Sequence, residues 1–179
     1  MRPGLPGLDE PVTQRTLILL RHGKSAYPDG VPDHDRPLAD RGRREAAFAG
    51  EHIRTVVDRF DRVLCSTATR TRQTLEATGL AAGRVDFREE IYAAEPDEIL
   101  DLIRIVPVGV TSLLVVGHSP GLPDLADELA GPGSDPVALA ALDRKFPTSA
   151  FAVITASGPW SDLPDGARLV TITIPRDHP

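Results

Sequence analysis

Short apolar runs alternate along this chain with stretches whose apolar residues recur at helical spacing, and that alternation most narrows the fold. The runs at 16–20, 62–65, 85–87 and Ser112–Gly117 are too short for helices, so each predicts a strand. From about 40 to 58, Ala46, Gly50, Ile53 and Val57 share one helical face while Arg43, Arg44, Glu51 and Arg54 lie largely off it. Thr69–Thr78 reads as a helix closed by Gly79, and 96–106 as one opened by Pro96. A further helix is expected from about 122 to 130, a loop over 131–135, and a short helix over 136–142. Runs at 151–155 and 169–174 close the pattern as strands. Such alternation predicts an α/β fold, with a mainly parallel sheet and helices on both faces. Ligands in these folds bind beyond the carboxyl ends of the strands.

The chain has 179 residues, enough for one domain over 16–179 with a sizeable core. Aromatic residues make up only 4%, so that core must rest on Leu, Val, Ile and Ala. A net charge of −6 argues against nonspecific nucleic-acid binding, which needs a basic surface. Cys65 is the one cysteine, which excludes an internal disulfide and reads as a small buried hydrophobe. Residues 1–15, rich in Pro and Gly, read as a flexible leader without the apolar stretch of a secretory signal. No run approaches the roughly 18 apolar residues of a membrane span. A cytoplasmic protein without a membrane partner is the expectation.

Three motifs stand where the strands should end. Arg21-His22-Gly23 follows the first run. Cations beside His22 favour its neutral form, whose lone pair suits attack on an anionic phosphoryl group. Gly23, without a Cβ, allows a sharp turn and close approach to a ligand. Ser66-Thr67-Ala68-Thr69-Arg70-Thr71-Arg72-Gln73-Thr74 follows the second run and enters a helix. A helix start favours an anion, and Arg70 in its first turn offers a planar fork, although both Arg70 and Arg72 also read as surface charges. Gly117-His118-Ser119-Pro120-Gly121 follows the Ser112–Gly117 run. A lone His118 there reads as a satisfied core histidine; two histidines at strand ends, each beside Gly, point to a shared site.

Arg21, His22, Arg70 and His118, in this order, resemble the active site of the histidine phosphatase superfamily. That family carries Arg-His-Gly after its first strand, Ser-x-x-x-Arg-x-x-Gln-Thr at a helix start, and a later Gly-His. The likeness runs from Thr16 through nearly the whole chain. Arg36-Pro37-Leu38, Arg41-Gly42-Arg43-Arg44-Glu45-Ala46 and Lys145-Phe146-Pro147-Thr148-Ser149-Ala150 resemble its compact phosphohistidine phosphatase (SixA-like) branch. The resemblance implies a three-layer α/β/α sandwich and a covalent phosphohistidine on His22. It implies that Arg21, Arg70 and His118 bind the phosphoryl oxygens, that Gly23 and Ser25 belong to the substrate site, and that no metal or other cofactor takes part. Lys24, Thr148 and Ser149 also stand at family motif positions. The implied partner is a protein carrying phosphohistidine or, as the alternative, a small phosphorylated molecule.

Many members of that family add a carboxylic acid that protonates the leaving group. Glu89, Glu90 and Glu95 stand in the corresponding region, and Asp29, Asp33 and Asp35 follow the first motif; each also reads as a surface charge. A site without the acid suits a phosphohistidine, whose leaving ring departs more readily than an alkoxide. Two other readings compete. Gly117 to Gly121 formally fits a nucleophile elbow with Ser119 as nucleophile and His178 as base, but Pro120 lacks the N–H that its oxyanion hole would use. A phosphate- or phosphoprotein-binding module without turnover is the non-enzymatic reading.

Overall fold

The computed structural model describes residues 12–176. Its elements follow in the order β1 (Arg15–Arg21), α1 (Asp40–Arg54), β2 (Arg59–Ser66), α2 (Thr69–Thr78), β3 (Ala81–Arg88), α3 (Pro96–Arg104), β4 (Ser112–Gly117), α4 (Gly121–Glu128), α5 (Pro136–Arg144), β5 (Phe151–Ala156) and β6 (Ala167–Thr173). The six strands form one sheet in the order β3-β2-β4-β1-β5-β6. The pairs β3–β2, β2–β4 and β4–β1 are parallel, and β1–β5 and β5–β6 are antiparallel. The chain is therefore a mixed α/β protein, as its alternation of runs predicts.

β1 shows why the central runs are continuously apolar. Leu17 and Leu19 belong to one buried cluster with Ile99 and Ile103 of α3 and Leu122 and Leu125 of α4. Ile18 and Leu20 belong to another, with Ala49 and Ile53 of α1. A strand covered on both faces has no solvent side to mark with polar residues. Cys65 is buried in the second cluster, and burial pushes its thiol up to about 12, in keeping with a small core hydrophobe.

The structure departs from the sequence reading at the edges. β3 is eight residues long, not three, because an edge strand pairs on one side only and its first half, Ala81-Ala82-Gly83-Arg84, carries no apolar pattern. α1 stops at Arg54; Val57 keeps the helical apolar spacing but packs on the core from outside the helix. The last residue of the expected leader, Arg15, opens β1. Arg15 is buried in β1, where its guanidinium donates to the Gly158 carbonyl at 3.0 Å and the Val108 carbonyl at 2.8 Å. Residues 1–11 of that leader lie outside the described residues. Among the described residues, no helix is long and apolar enough to cross a membrane.

Gly23 serves a different purpose from the one its position suggests. Its φ lies outside the left-handed region, and a Cβ there would meet the Gly42 carbonyl oxygen at 2.7 Å. Reciprocally, a Cβ on Gly42 would stand 2.2 Å from the Lys24 carbonyl oxygen. Two backbones cross here without side chains between them, which sets the start of α1 directly against the segment that carries His22. Ala is normally better than Gly inside a helix by about 1 kcal/mol. Gly42→Ala is nevertheless expected to destabilise the protein by about 1–3 kcal/mol, the range for overpacking. Gly109→Ala, with nothing within 4 Å of its would-be Cβ, should change little. Urea denaturation of the two variants checks this; equal stabilities would show that the crossing is not tight.

Candidate active site

The carboxyl ends of β1, β2 and β4 lie side by side, because these strands are parallel and in register through Arg21↔Gly117 and Cys65↔Val116. Each delivers one motif. His22 is fixed through its backbone: its N–H donates to the Gly117 carbonyl at 3.0 Å, and its carbonyl accepts from the Ser149 N–H at 3.0 Å. Its side chain donates from Nδ1 to the Gly23 carbonyl at 2.7 Å. A carbonyl only accepts, so the ring proton sits on Nδ1 and the lone pair on Nε2. Burial, helped by the charges of Arg70, Arg21 and Arg36, lowers the His22 pKa to about 4. His22 is thus a neutral imidazole at pH 7, oriented and tautomerically fixed.

Four positions of the second motif have separate tasks. Ser66 Oγ lies 2.8 Å from His118 Nε2 and accepts from the Ala68 N–H at 3.3 Å. His118 Nδ1 is a buried atom without a partner. Arg70 donates from Nη1 to the Asp33 carbonyl at 2.7 Å and from Nη2 to the Asp33 carboxylate at 3.1 Å. Gln73 accepts from the Leu38 N–H at 2.8 Å. Thr74 accepts from the Gly23 N–H at 2.9 Å while donating to the Arg70 carbonyl at 2.6 Å, tying the loop after β1 to α2.

His22, Asp33, Arg70, Tyr92, Ala93, His118 and Ser119 line one cavity of about 160 Å³. The His22 and His118 rings are 5.2 Å apart between centroids. His118 is held at about 3, by burial first and then by the neighbouring His22 and Arg70 charges. Arg21 donates from Nη1 to the Phe146 carbonyl at 2.8 Å. Three buried nitrogens of this group have no partner: Arg21 Nε, Arg70 Nε and His118 Nδ1. Arg70 and His118 line the cavity and Arg21 does not, so two of these unpartnered atoms belong to residues that border it beside the neutral His22 imidazole, an arrangement able to receive an anion. Ala93 and Ser149, both bordering the site, hold positive φ values of 55° and 63° without being glycine, a strained state typical of functional loops.

The acidic candidates separate clearly. Asp33 alone of the six lines the cavity. Its carboxylate accepts from the Tyr92 hydroxyl at 2.6 Å and from Arg36 at 2.8 and 3.0 Å, besides Arg70. These bonds, Tyr92 first and Arg36 next, hold it far below the usual carboxylate range, so it is an anion at neutral pH and has no proton to give. Glu90 pairs with Arg88 at 2.7 Å, and Glu95 caps α3 in a reciprocal box with Glu98. Asp35 meets His34 at 3.3 Å, and Asp29 and Glu89 are exposed. Ser25 lies outside the cavity lining; its buried hydroxyl accepts from Arg36 at 2.8 Å and so supports the Asp33 contact. Ser119 lines the cavity, whereas His178 lies outside the described residues. Tyr92 has no motif around it in the sequence and was not singled out, yet its ring stands edge-on to both His118, at 5.5 Å, and His34, at 4.9 Å. Among the described residues, no three His, Cys, Asp or Glu side chains gather as a metal site would require.

The low histidine pKa values have a measurable consequence. An unfolded histidine takes up its proton near pH 6.5, whereas His22 resists until about 4 and His118 until about 3. The unfolded state therefore binds more protons between those values, and stability falls as pH drops from about 6.5 toward 4. Urea titrations across this range should show the loss, and His22→Gln should remove the His22 share while leaving that of His118. NMR of the ligand-free protein at pH 6 should find His22 neutral and protonated on Nδ1; a charged ring there would contradict the site's electrostatics.

Comparison with known proteins agrees with this geometry. The model of the histidine phosphatase superfamily (branch 1) matches residues 17–93. An uncharacterized protein of Mycobacterium tuberculosis is 48% identical over 159 residues, covering 88% of this chain and 100% of that protein. Phosphohistidine phosphatase SixA of Escherichia coli is 30% identical over 144 residues, covering 78% of this chain and 84% of that one. A solved structure from Nakamurella multipartitia, provisionally named phosphohistidine phosphatase SixA, superimposes with a TM-score of 0.83 at 41% identity, covering 94% of this chain and 100% of that chain. The structure of the protein histidine phosphatase SixA complexed with tungstate gives 0.72 at 26% identity, covering 89% and 97%.

Proposed function

The chain belongs to the histidine phosphatase superfamily and is a phosphatase, and from that premise we propose that it removes phosphoryl groups from phosphohistidine on proteins, through a phosphohistidine formed on its own His22. The catalytic frame is a three-layer α/β/α sandwich. One observation carries the reading: Arg21 Nε and Arg70 Nε, buried donors without a partner, belong to the cations around a histidine whose Nε2 is free and neutral. His22 Nε2 attacks phosphorus, a P–N bond forms, and the bond to the substrate's ring nitrogen breaks. Arg21, Arg70 and His118 take the phosphoryl oxygens and offset the charge that gathers on them in the transition state. Water then attacks the same phosphorus, releasing inorganic phosphate and restoring neutral His22. The electrostatic work falls to protein cations, with no metal.

The state of Asp33 supports the substrate class. The one candidate acid at the cavity is an anion tied up by Tyr92, Arg36 and Arg70. An alkoxide leaving group would need a proton that this site does not offer, whereas a phosphohistidine leaves as an imidazole that solvent can protonate. The likeness to phosphohistidine phosphatase SixA points the same way. A small phosphorylated molecule stays the alternative substrate.

The test is phosphate release from a histidine-phosphorylated carrier domain, with an alkyl phosphate in parallel. The carrier is expected to be turned over much faster, with radiolabel trapped on the wild type. His22→Ala should show neither release nor trapping, and Arg70→Ala should lose about 10²–10³ in kcat/KM, the loss typical for one such donor. Faster turnover of the alkyl phosphate would overturn the substrate assignment, and binding without release would favour a module without turnover.

A further inference from the structure

Two sequence motifs contribute no residue to the lining of the cavity, Arg41 to Ala46 and Lys145 to Ala150, and the structure brings them together. They meet at a cleft of about 440 Å³ bordered by Arg41 and Glu45 of α1, by Lys145 and Thr148, and by Arg176 beyond β6. Arg41 donates to Glu45 at 2.7 Å, and the Glu45 side chain is 4% exposed, so that pair is locally neutral. Lys145 and Arg176 are exposed and have no ion-pair partner among the described residues. The lining carries a net charge of +2 in a chain whose net charge is −6. Cations that share a cleft without a counter-charge among the described residues repel one another, and an incoming anion relieves that repulsion.

The cleft adjoins the catalytic cavity through shared backbone. Phe146, next to Lys145, holds Arg21 through its carbonyl. Ser149, next to Thr148, holds the His22 carbonyl through its N–H. Gly42, next to Arg41, is the glycine that Gly23 and Lys24 press against. The cleft and the His22 loop are thus built on the same backbone segments.

We propose that this cleft docks an acidic segment of the phosphoprotein substrate, with Lys145 and Arg176 receiving its carboxylates. The proposal rests on the phosphatase reading above for what the partner is, but the cleft's affinity for an acidic segment is a separate property. Small substrates lack such a segment, so docking distinguishes protein from small-molecule turnover. Because the paired charges are exposed, the interaction is screened by salt and acts mainly on capture.

The test compares wild type, Lys145→Glu/Arg176→Glu and His22→Ala as full chains, each first shown to unfold at the same temperature. A hexaglutamate peptide is titrated into each at low salt. The expected result is binding that weakens at least about ten-fold in the double variant and persists in His22→Ala. Equal binding to wild type and double variant would overturn the proposal. So would inorganic phosphate binding more tightly than the peptide and depending on Lys145 and Arg176, which would mark a small-anion site. In kinetics, the double variant should raise KM for a histidine-phosphorylated carrier about ten-fold while kcat/KM for phosphoramidate stays within about two-fold. An equal loss on both would place the two side chains in the chemistry and overturn docking. If the wild type turns over neither substrate, the phosphatase mechanism fails, and the peptide titration still decides the cleft.

Discussion

Holding one buried and one half-buried guanidinium beside a histidine is the constraint that organises this molecule. Neither Arg21 nor Arg70 rests on a buried carboxylate. Backbone carbonyls of Phe146 and Asp33 hold them, with the half-exposed Asp33 side chain completing the grip on Arg70. Carbonyl dipoles orient a cation without neutralising it, so the positive potential stays available to an incoming anion. The same potential, together with burial, keeps His22 and His118 neutral. Three parallel strands ending at one level make such a concentration possible, since each contributes one group to a space that none could furnish alone.

Supporting that charge cluster consumes much of the surrounding polar chemistry. Thr74 links Gly23 to α2, Gln73 pins Leu38, and Ser66 holds the His118 ring. Arg36 is held between Ser25 and Asp33. The residues that act on an anion are few, and those that hold them in place are more numerous. A site worked by fixed dipoles and cations gains only if those groups are placed before the reaction begins.

How much of this could be read from the sequence follows from how each feature is encoded. The central strands and their helices were legible because burial on both faces writes itself as continuous apolar runs between helical repeats. The positions of Arg21, His22, Arg70 and His118 near strand ends were legible, and the structure brings His22, Arg70 and His118 to one cavity. β3 was not legible in full, since an edge strand needs hydrogen-bond partners more than apolar side chains. Tyr92 and the contacts of Asp33 were hidden for another reason. Their contact spans 59 positions and depends on how the loop after β1 folds back over the end of β3, which no local spacing encodes. Gly23 was legible as a required glycine but not for its reason, because the backbone it accommodates belongs to α1.

Asp33 brings these strands of reasoning to one point. A carboxylate at the mouth of an anion site would be expected to repel substrate, yet its charge is shared among Arg36, Arg70 and the Tyr92 hydroxyl. It binds Arg70 by one edge, and the Nε of that guanidinium is left without a partner. The carboxylate thereby trades the ability to donate a proton for the ability to aim a cation. That exchange suits a reaction in which the leaving group departs unaided and the demanding task is to hold the phosphoryl oxygens still. It would be a poor exchange for an enzyme that must expel an alkoxide, where the proton matters most.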